Sequence, residues 1–284
     1  MPKPLRNRDK TWPVIAARST LSLFILIVGL ALVFPLVFMI SASFKNNADV
    51  FSTPLDIIPK NPTLANYDKI LHDARFFSWY LNTLVVVTMT IALRVWIVSM
   101  AAYAFARLDF VFKNALFLVL VASIMVPPDT TIVSKFLMYK TIGLYDTLAV
   151  LIVPAVFDVF FVFMMRQFFV TIPFELTEAA KIDGCSHLTT FARIILPLAK
   201  PALITMGLFT FIWTWNDFLH PYILINDLAR QTITVGLSFY QGRAGANYAL
   251  QLAGASFGVV FPVILFLFAQ KYFVEGIASS GIKG

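Results

Sequence analysis

The sequence has little charge. Asp, Glu, Lys and Arg make up 13% of its 284 residues, about half the ~25% of a soluble domain. Hydrophobic residues make up 59%. So few charges cannot coat a water-facing surface, which excludes an ordinary soluble enzyme, a disordered chain and a coiled coil. Cysteine is nearly absent: Cys185 stands alone, so no intramolecular disulfide can form. The three histidines, His72, His187 and His220, share no zinc-ligand spacing, and no metal site is expected. There is no G-x-x-x-x-G-K-[ST] phosphate loop, so neither ATP hydrolysis nor a bound cofactor is expected of this chain. Gly254-Ala255-Ser256-Phe257-Gly258 meets G-x-S-x-G only formally. That motif needs a strand before it and a histidine partner, whereas here it lies in an apolar helix, where small residues let helices pack closely.

What the sequence does have is long uncharged runs. A charge at the bilayer centre costs about 2.5–3.5 kcal/mol on the insertion scale, and a spanning helix needs ~20 apolar residues. Six spans are expected, near Ser19–Ser43, Leu81–Tyr103, Asn114–Pro128, Leu148–Phe169, Pro201–Trp215 and Leu250–Tyr272. The third is short and is stopped by Pro127-Pro128. The first is read as an uncleaved anchor, because no small-residue cleavage site follows it. The chain therefore divides into a basic tail (1–18), an all-α polytopic domain of six transmembrane helices (19–273) and a C-terminal tail (274–284). Six spans put both termini on one side. With both ends cytoplasmic, 13 of the 22 Lys and Arg fall inside and 8 outside, as the positive-inside rule requires. The net charge of +7 thus reflects membrane sidedness, and no nucleic-acid partner is expected.

The longest inner loop, residues 170–200, carries the sharpest signal. Pro173 suits a helix start, and Glu175 and Glu178 suit a first turn. Gly184 suits a left-handed stop. A three-turn helix over Phe174–Asp183 is predicted, with Ala179 and Ala180 as small residues on a face that a partner can approach. Glu178-Ala179-Ala180, three residues, Gly184, nine residues, Ile194, one residue, then Leu196-Pro197 resembles the EAA motif of ABC importer permeases at every defining position. Shorter matches join it: Asn66-Tyr67, Ala101-Ala102-Tyr103-Ala104-Phe105-Ala106-Arg107, Gly143-Leu144, Trp215-Asn216-Asp217, and the end Phe273-Val274-Glu275-Gly276 with Ser280-Gly281-Ile282-Lys283-Gly284. Together they are similar to the carbohydrate-importer (MalG-like, binding-protein-dependent) branch, over nearly the whole chain from the first span onward.

That resemblance implies a type I ABC importer permease fold with a cytoplasmic coupling helix, in a bacterial or archaeal inner membrane. It implies a non-catalytic subunit forming half of a saccharide pathway. A second homologous permease subunit would supply the other half, two ABC ATPase subunits would hold ATP-Mg, and an extracytoplasmic solute-binding protein would deliver substrate. Glu175, Glu178, Ala179, Ala180, Asp183, Gly184, Ile194, Leu196 and Pro197 would couple to the ATPase, and Gly281, Lys283 and Gly284 would touch it. The alternatives are a permease for another polar solute (polyol phosphate, peptide or polyamine) and a secondary transporter. The terminal glycine pattern argues against the first, and the absence of paired repeats against the second.

Two charges lie inside expected spans, Arg94 and Asp158, both near mid-bilayer by helical rise. Intramembrane charges mark function by default. They are expected to face each other, either as a buried pair fixing helix packing or as part of the substrate path, where Arg would suit an anionic group. Asn82, Trp213, Thr214, Trp215 and Asn216 complete the candidate pathway, with helix–helix hydrogen bonding as the plainer reading of the polar ones.

Overall fold

The computed structural model describes residues 11–52, 56–242 and 245–281. In chain order the helices are α1 (Thr11–Ser43), α2 (Ala65–His72), α3 (Ala74–Arg107), α4 (Lys113–Ser123), α5 (Ile132–Thr141), α6 (Ala149–Val156) and α7 (Val159–Thr171). There follow α8 (Glu175–Ile182), α9 (His187–Thr190), α10 (Leu196–Leu198), α11 (Lys200–Trp215), α12 (Leu219–Leu224), α13 (Ile233–Ser238) and α14 (Tyr248–Gly281). A two-residue antiparallel ladder pairs Gln241–Gly242 with Gly245–Ala246.

Helix α3 is the axle. Its 34 residues contain neither proline nor glycine, so nothing interrupts the backbone ladder. Asp73 caps its first turn, accepting from the Arg75 N–H at 3.0 Å. It packs against α6, α7, α11 and α13. Four described stretches are long and apolar enough to cross a membrane: Ala17–Ser43, Ala74–Arg107, Ala149–Thr171 and Tyr248–Phe268. A fifth candidate is the pair His187–Leu198 and Lys200–Trp215, bent by 79°. Pro197 and Pro201 flank that bend; each lacks the N–H that would carry the ladder across it.

The third expected span takes a different form. Helix α4 has 11 residues, about 16 Å of rise against the ~30 Å of a hydrocarbon core. After it the chain turns at Pro127 and Pro128 and resumes as α5. The fourth expected span is likewise broken. Pro154 lies within α6, and Phe157 and Asp158 leave helical geometry before α7 begins. The backbone of α14 stays helical past Tyr272, the end of the sixth expected span, as far as Gly281.

Among the described residues four apolar clusters hold the bundle, and three of them include residues of α3. One, at the α8 end, joins Val98, Tyr103, Met165, Phe169, Phe191 and Met206. A second gathers Phe76, Trp79, Phe211, Trp215 and Ala253, and a third Val86, Tyr139, Leu151 and Leu224. Close approach in the second depends on glycine. A Cβ on Gly236 would lie 2.2 Å from the Trp79 ring, and one on Gly254 would lie 2.4 Å from Leu237. Gly254 is thus a packing residue, as the sequence indicated. The Ser256 hydroxyl donates to Leu252 O in its own helix.

Candidate functional site

Two places concentrate the candidate residues. The first is α8 and its flanks. The helix begins one residue after the predicted start and stops at Gly184, whose φ is +79°. The Gly184 N–H donates to Lys181 O at 3.1 Å and the Cys185 N–H to Ala180 O at 2.9 Å, the paired bonds of a Schellman stop. Glu175, Glu178, Ala179, Asp183 and Gly184 are exposed, as are Phe174, Leu176 and Ile182, the last 86% so. Ala180 is not on that face. It is buried against the chain, with Thr177. Only Ala179 offers a small exposed residue, because positions one apart on a helix point about 100° apart. Ile194 and Leu196 pack on the first cluster, while Pro197 lies exposed at the bend.

A buried arginine anchors this end. Arg107, the last residue of α3, donates from one nitrogen to Phe169 O (2.7 Å) and Ile172 O (2.5 Å). Phe169 O lies in the last turn of α7, where it also accepts from the Ile172 N–H at 3.3 Å, and Ile172 O belongs to the residue just after the helix. The guanidinium also lies 5.5 Å from the Phe174 ring centroid, at the foot of α8. Arg107 therefore ties α3 to the segment that launches α8.

The second place is a cavity of about 550 Å³ at the break between α6 and α7. The break explains Arg94. The extended Phe157-Asp158 step leaves the Ala155 carbonyl without its helical donor, and Arg94 Nε supplies one at 3.1 Å. Arg94 Nη2 donates to the same oxygen, and Nη1 donates to Thr210 Oγ1 at 2.9 Å. One face of the guanidinium lies over the Phe161 ring, 4.7 Å from its centroid. Asp158 caps α7, accepting from the Phe160 N–H at 2.9 Å. Its other oxygen, Oδ2, stands 3.8 Å from Arg94 Nη2, an ion pair but beyond hydrogen-bond length. The two intramembrane charges thus do meet, at a discontinuity of the kind tolerated at membrane depth only where backbone is buried in protein or lines a cavity.

With the geometry in hand, residues 74–278 match the model of the family described as binding-protein-dependent transport system inner membrane component. The chain belongs to this family. It is an ABC transporter permease, a non-catalytic membrane subunit. It is 33% identical to a putative ABC transporter permease of Caldicellulosiruptor sp. strain Rt8B.4, covering 88% of this chain and 91% of that one. It is 32% identical to the arabinooligosaccharides transport system permease protein AraQ of Bacillus subtilis, covering 94% and 96%. Its fold is similar to a chain in a crystal structure of a bacterial ABC transporter involved in the import of the acidic polysaccharide alginate. That likeness has a TM-score of 0.82 at 21% identity, over 95% of this chain and all of the other.

Within the permease the predicted pathway residues part company. Arg94, Asp158, Trp213 and Thr214 line the cavity. Asn82 does not: its amide donates to Ala229 O and Gln231 O, fastening the loop before α13. Trp215 is buried in the second cluster, stacked on Phe211 and Phe261. Among the described residues the Asn216 amide donates to Ile212 O in its own helix. Sequence reasoning missed Lys135, Tyr139, Asp217 and His220, which also line the cavity. His220 Nδ1 lies 3.1 and 3.2 Å from the two Asp217 oxygens. That hydrogen bond raises the His220 pKa above 6.5, against the opposing effect of burial. The signal available was the Asp217–His220 spacing of three, one helical turn. Lys283 and Gly284 lie outside the described residues, and Gly281 ends the described part of α14.

Proposed function

We propose that this permease forms one half of the pathway of a saccharide importer, with both termini cytoplasmic. In this reading α8 is the coupling helix. It seats in a separate ATPase subunit, which holds ATP-Mg, and a second homologous permease completes the pore. An extracytoplasmic binding protein delivers substrate to the opposite end of the bundle. The observation that carries the reading is α8 itself: a capped, solvent-facing helix with Phe174, Leu176 and Ile182 exposed, tied at its foot to the central helix by Arg107. Exposed apolar side chains grouped on one short helix support a partner surface there. The family match supports the binding protein, and the name of the Bacillus relative supports an oligosaccharide.

Mechanistically, movement of the ATPase would pull α8, and Arg107 would pass that pull to α3 and α7. The flexible element is the α6–α7 break, where backbone hydrogen bonds are interrupted. Co-purification from membranes in mild detergent tests the reading. The expected result is recovery of an ATPase and a second permease, with both lost from Glu178→Lys or Ile182→Asp. Recovery of the chain alone, or undiminished recovery of both partners with either variant, would count against α8 as the coupling helix.

A further inference from the structure

The cavity at the α6–α7 break presents acceptors, not cations, to whatever enters it. Arg94 lines it, yet three of its five N–H groups, one on each nitrogen, already donate within the protein, its charge is paired with Asp158 and one face is covered by Phe161. His220 is engaged by Asp217, and Lys135 has an interaction partner in the chain. The two carboxylates are the partners of these cations, Asp158 of Arg94 and Asp217 of His220, whose backbone N–H also donates to Asp217 Oδ1 at 3.3 Å, yet both keep acceptor capacity to spare. Asp158 and Asp217 are each 30% exposed. Asp158 Oδ2 has no hydrogen-bond donor among the described residues, and a carboxylate has room for about four. Beside them stands Trp213, 46% exposed. Its ring is packed against Phe160, Phe161 and Phe209, so it is held rigid with the rest of its surface open.

Two carboxylate acceptors beside a fixed, half-open indole suit a ligand rich in hydroxyls that also carries flat C–H faces. We infer that this cavity is a substrate site within this chain for a neutral saccharide. Asp158 and Asp217 accept hydroxyl hydrogen bonds, Trp213 stacks on a ring face, and Arg94 acts as a positioning residue that holds the break and Asp158 in place. The inference deepens the saccharide reading above and rests on it. It reverses the expectation that Arg94 recognises an anion: an acidic sugar would bring a carboxylate to two carboxylates while every cation nearby is engaged.

The test uses the whole complex, with its ATPase, partner permease and binding protein, in proteoliposomes. Maltotriose, arabinotriose and trigalacturonate serve as probes, and the readout is sugar moved per ATP hydrolysed. A merely structural loss lowers transport and hydrolysis together and leaves that ratio intact. The expected result is movement of a neutral trisaccharide in preference to trigalacturonate. Asp217→Asn and Trp213→Ala should each lower the ratio roughly tenfold, the worth of one lost hydrogen bond or stacking contact. Trp213→Phe, which keeps a ring, should lower it less. An unchanged ratio in every variant, with a neutral sugar still moved, overturns the cavity assignment and leaves the saccharide importer standing. Movement of trigalacturonate alone overturns the neutral class only. Movement of none of the three overturns both readings.

Discussion

Arg94 and Arg107 stand thirteen positions apart on α3, about 20 Å of helix, and both donate to carbonyls at a helix end. Their surroundings differ. Arg94 has an acidic neighbour, a hydroxyl, a carbonyl and an aromatic face. Arg107 has two carbonyls and the edge of α8, and its Nε and the neighbouring Tyr103 hydroxyl have no hydrogen-bond partner in the described chain. The first anchor is closed: nearly every group it brings into the membrane interior is matched. The second is open, with unused donors beside the segment that must move if α8 transmits force. A charge deep in the bilayer has to be satisfied within the chain, while one at the bundle's end can leave groups free for a second arrangement.

The sharpest way to break this contrast is Arg94→Ala. It strands the Ala155 carbonyl and leaves Asp158 without its cation. The expected loss is about 3 kcal/mol, the low end for removing one partner of a buried pair because Asp158 is partly exposed. A thermal melt of the purified complex reads it. The Arg94→Met/Asp158→Ala double variant should recover part of the loss, and a double variant as unstable as the single would refute the pairing. Next in size is Arg107→Ala, with about 2 kcal/mol expected from the lost bonds to Phe169 and Ile172. Arg107→Lys should keep most of the fold but lower ATP-coupled transport, because an ammonium lacks the planar fork. Equal transport from Lys and Arg would mean that the anchor plays no part in coupling.

Smaller effects sharpen the picture further. Gly184→Ala meets no steric contact, since nothing lies within 4 Å of the added Cβ, but its φ of +79° is left-handed. The expected cost is about 1 kcal/mol, confined to α8, readable as faster amide exchange over residues 175–184 with the cavity residues unchanged. The smallest effect concerns pH. The Asp217 hydrogen bond raises the His220 pKa, so its stabilisation is fully present below His220's ordinary value of 6.5 and is lost as pH rises through the higher folded value. With His220 about one-third exposed, this is worth less than about 1 kcal/mol. His220→Gln should flatten that part of the stability curve, and an unaltered curve would place the titration elsewhere.

The stop at Gly184 was legible because only a residue free at positive φ ends a helix this way, and Pro173 marked the start. The broken helix was also legible in part: a proline followed four residues later by Asp158 reads as a stop and a new cap, a signal that the long uncharged run concealed. Arg94 and Asp158 stood out as charges, but no sequence pattern shows which N–H groups a guanidinium has already committed, and that decides whether it can bind a ligand. The inward turn of Ala180 was hidden for a related reason. Helical spacing says that Ala179 and Ala180 point apart, but it does not say which of them meets the bundle. Asn82, Trp215 and Asn216 looked like pathway residues by depth and polarity, while rotation about each helix axis sent them to a loop, a core and a backbone carbonyl.

The most direct test of the central claim is a site-specific crosslink. With Cys185→Ser as background and a single cysteine at Ala179→Cys, the complex would be treated with a short bifunctional thiol reagent, with and without ATP. The expected result is a covalent product with the ATPase subunit whose yield changes with nucleotide, while a cysteine at Ala180, buried against the bundle, gives little. A cysteine at Ala179 that reacts freely with a small thiol reagent yet never joins the ATPase, in either state, would contradict the assignment of α8 as the coupling element.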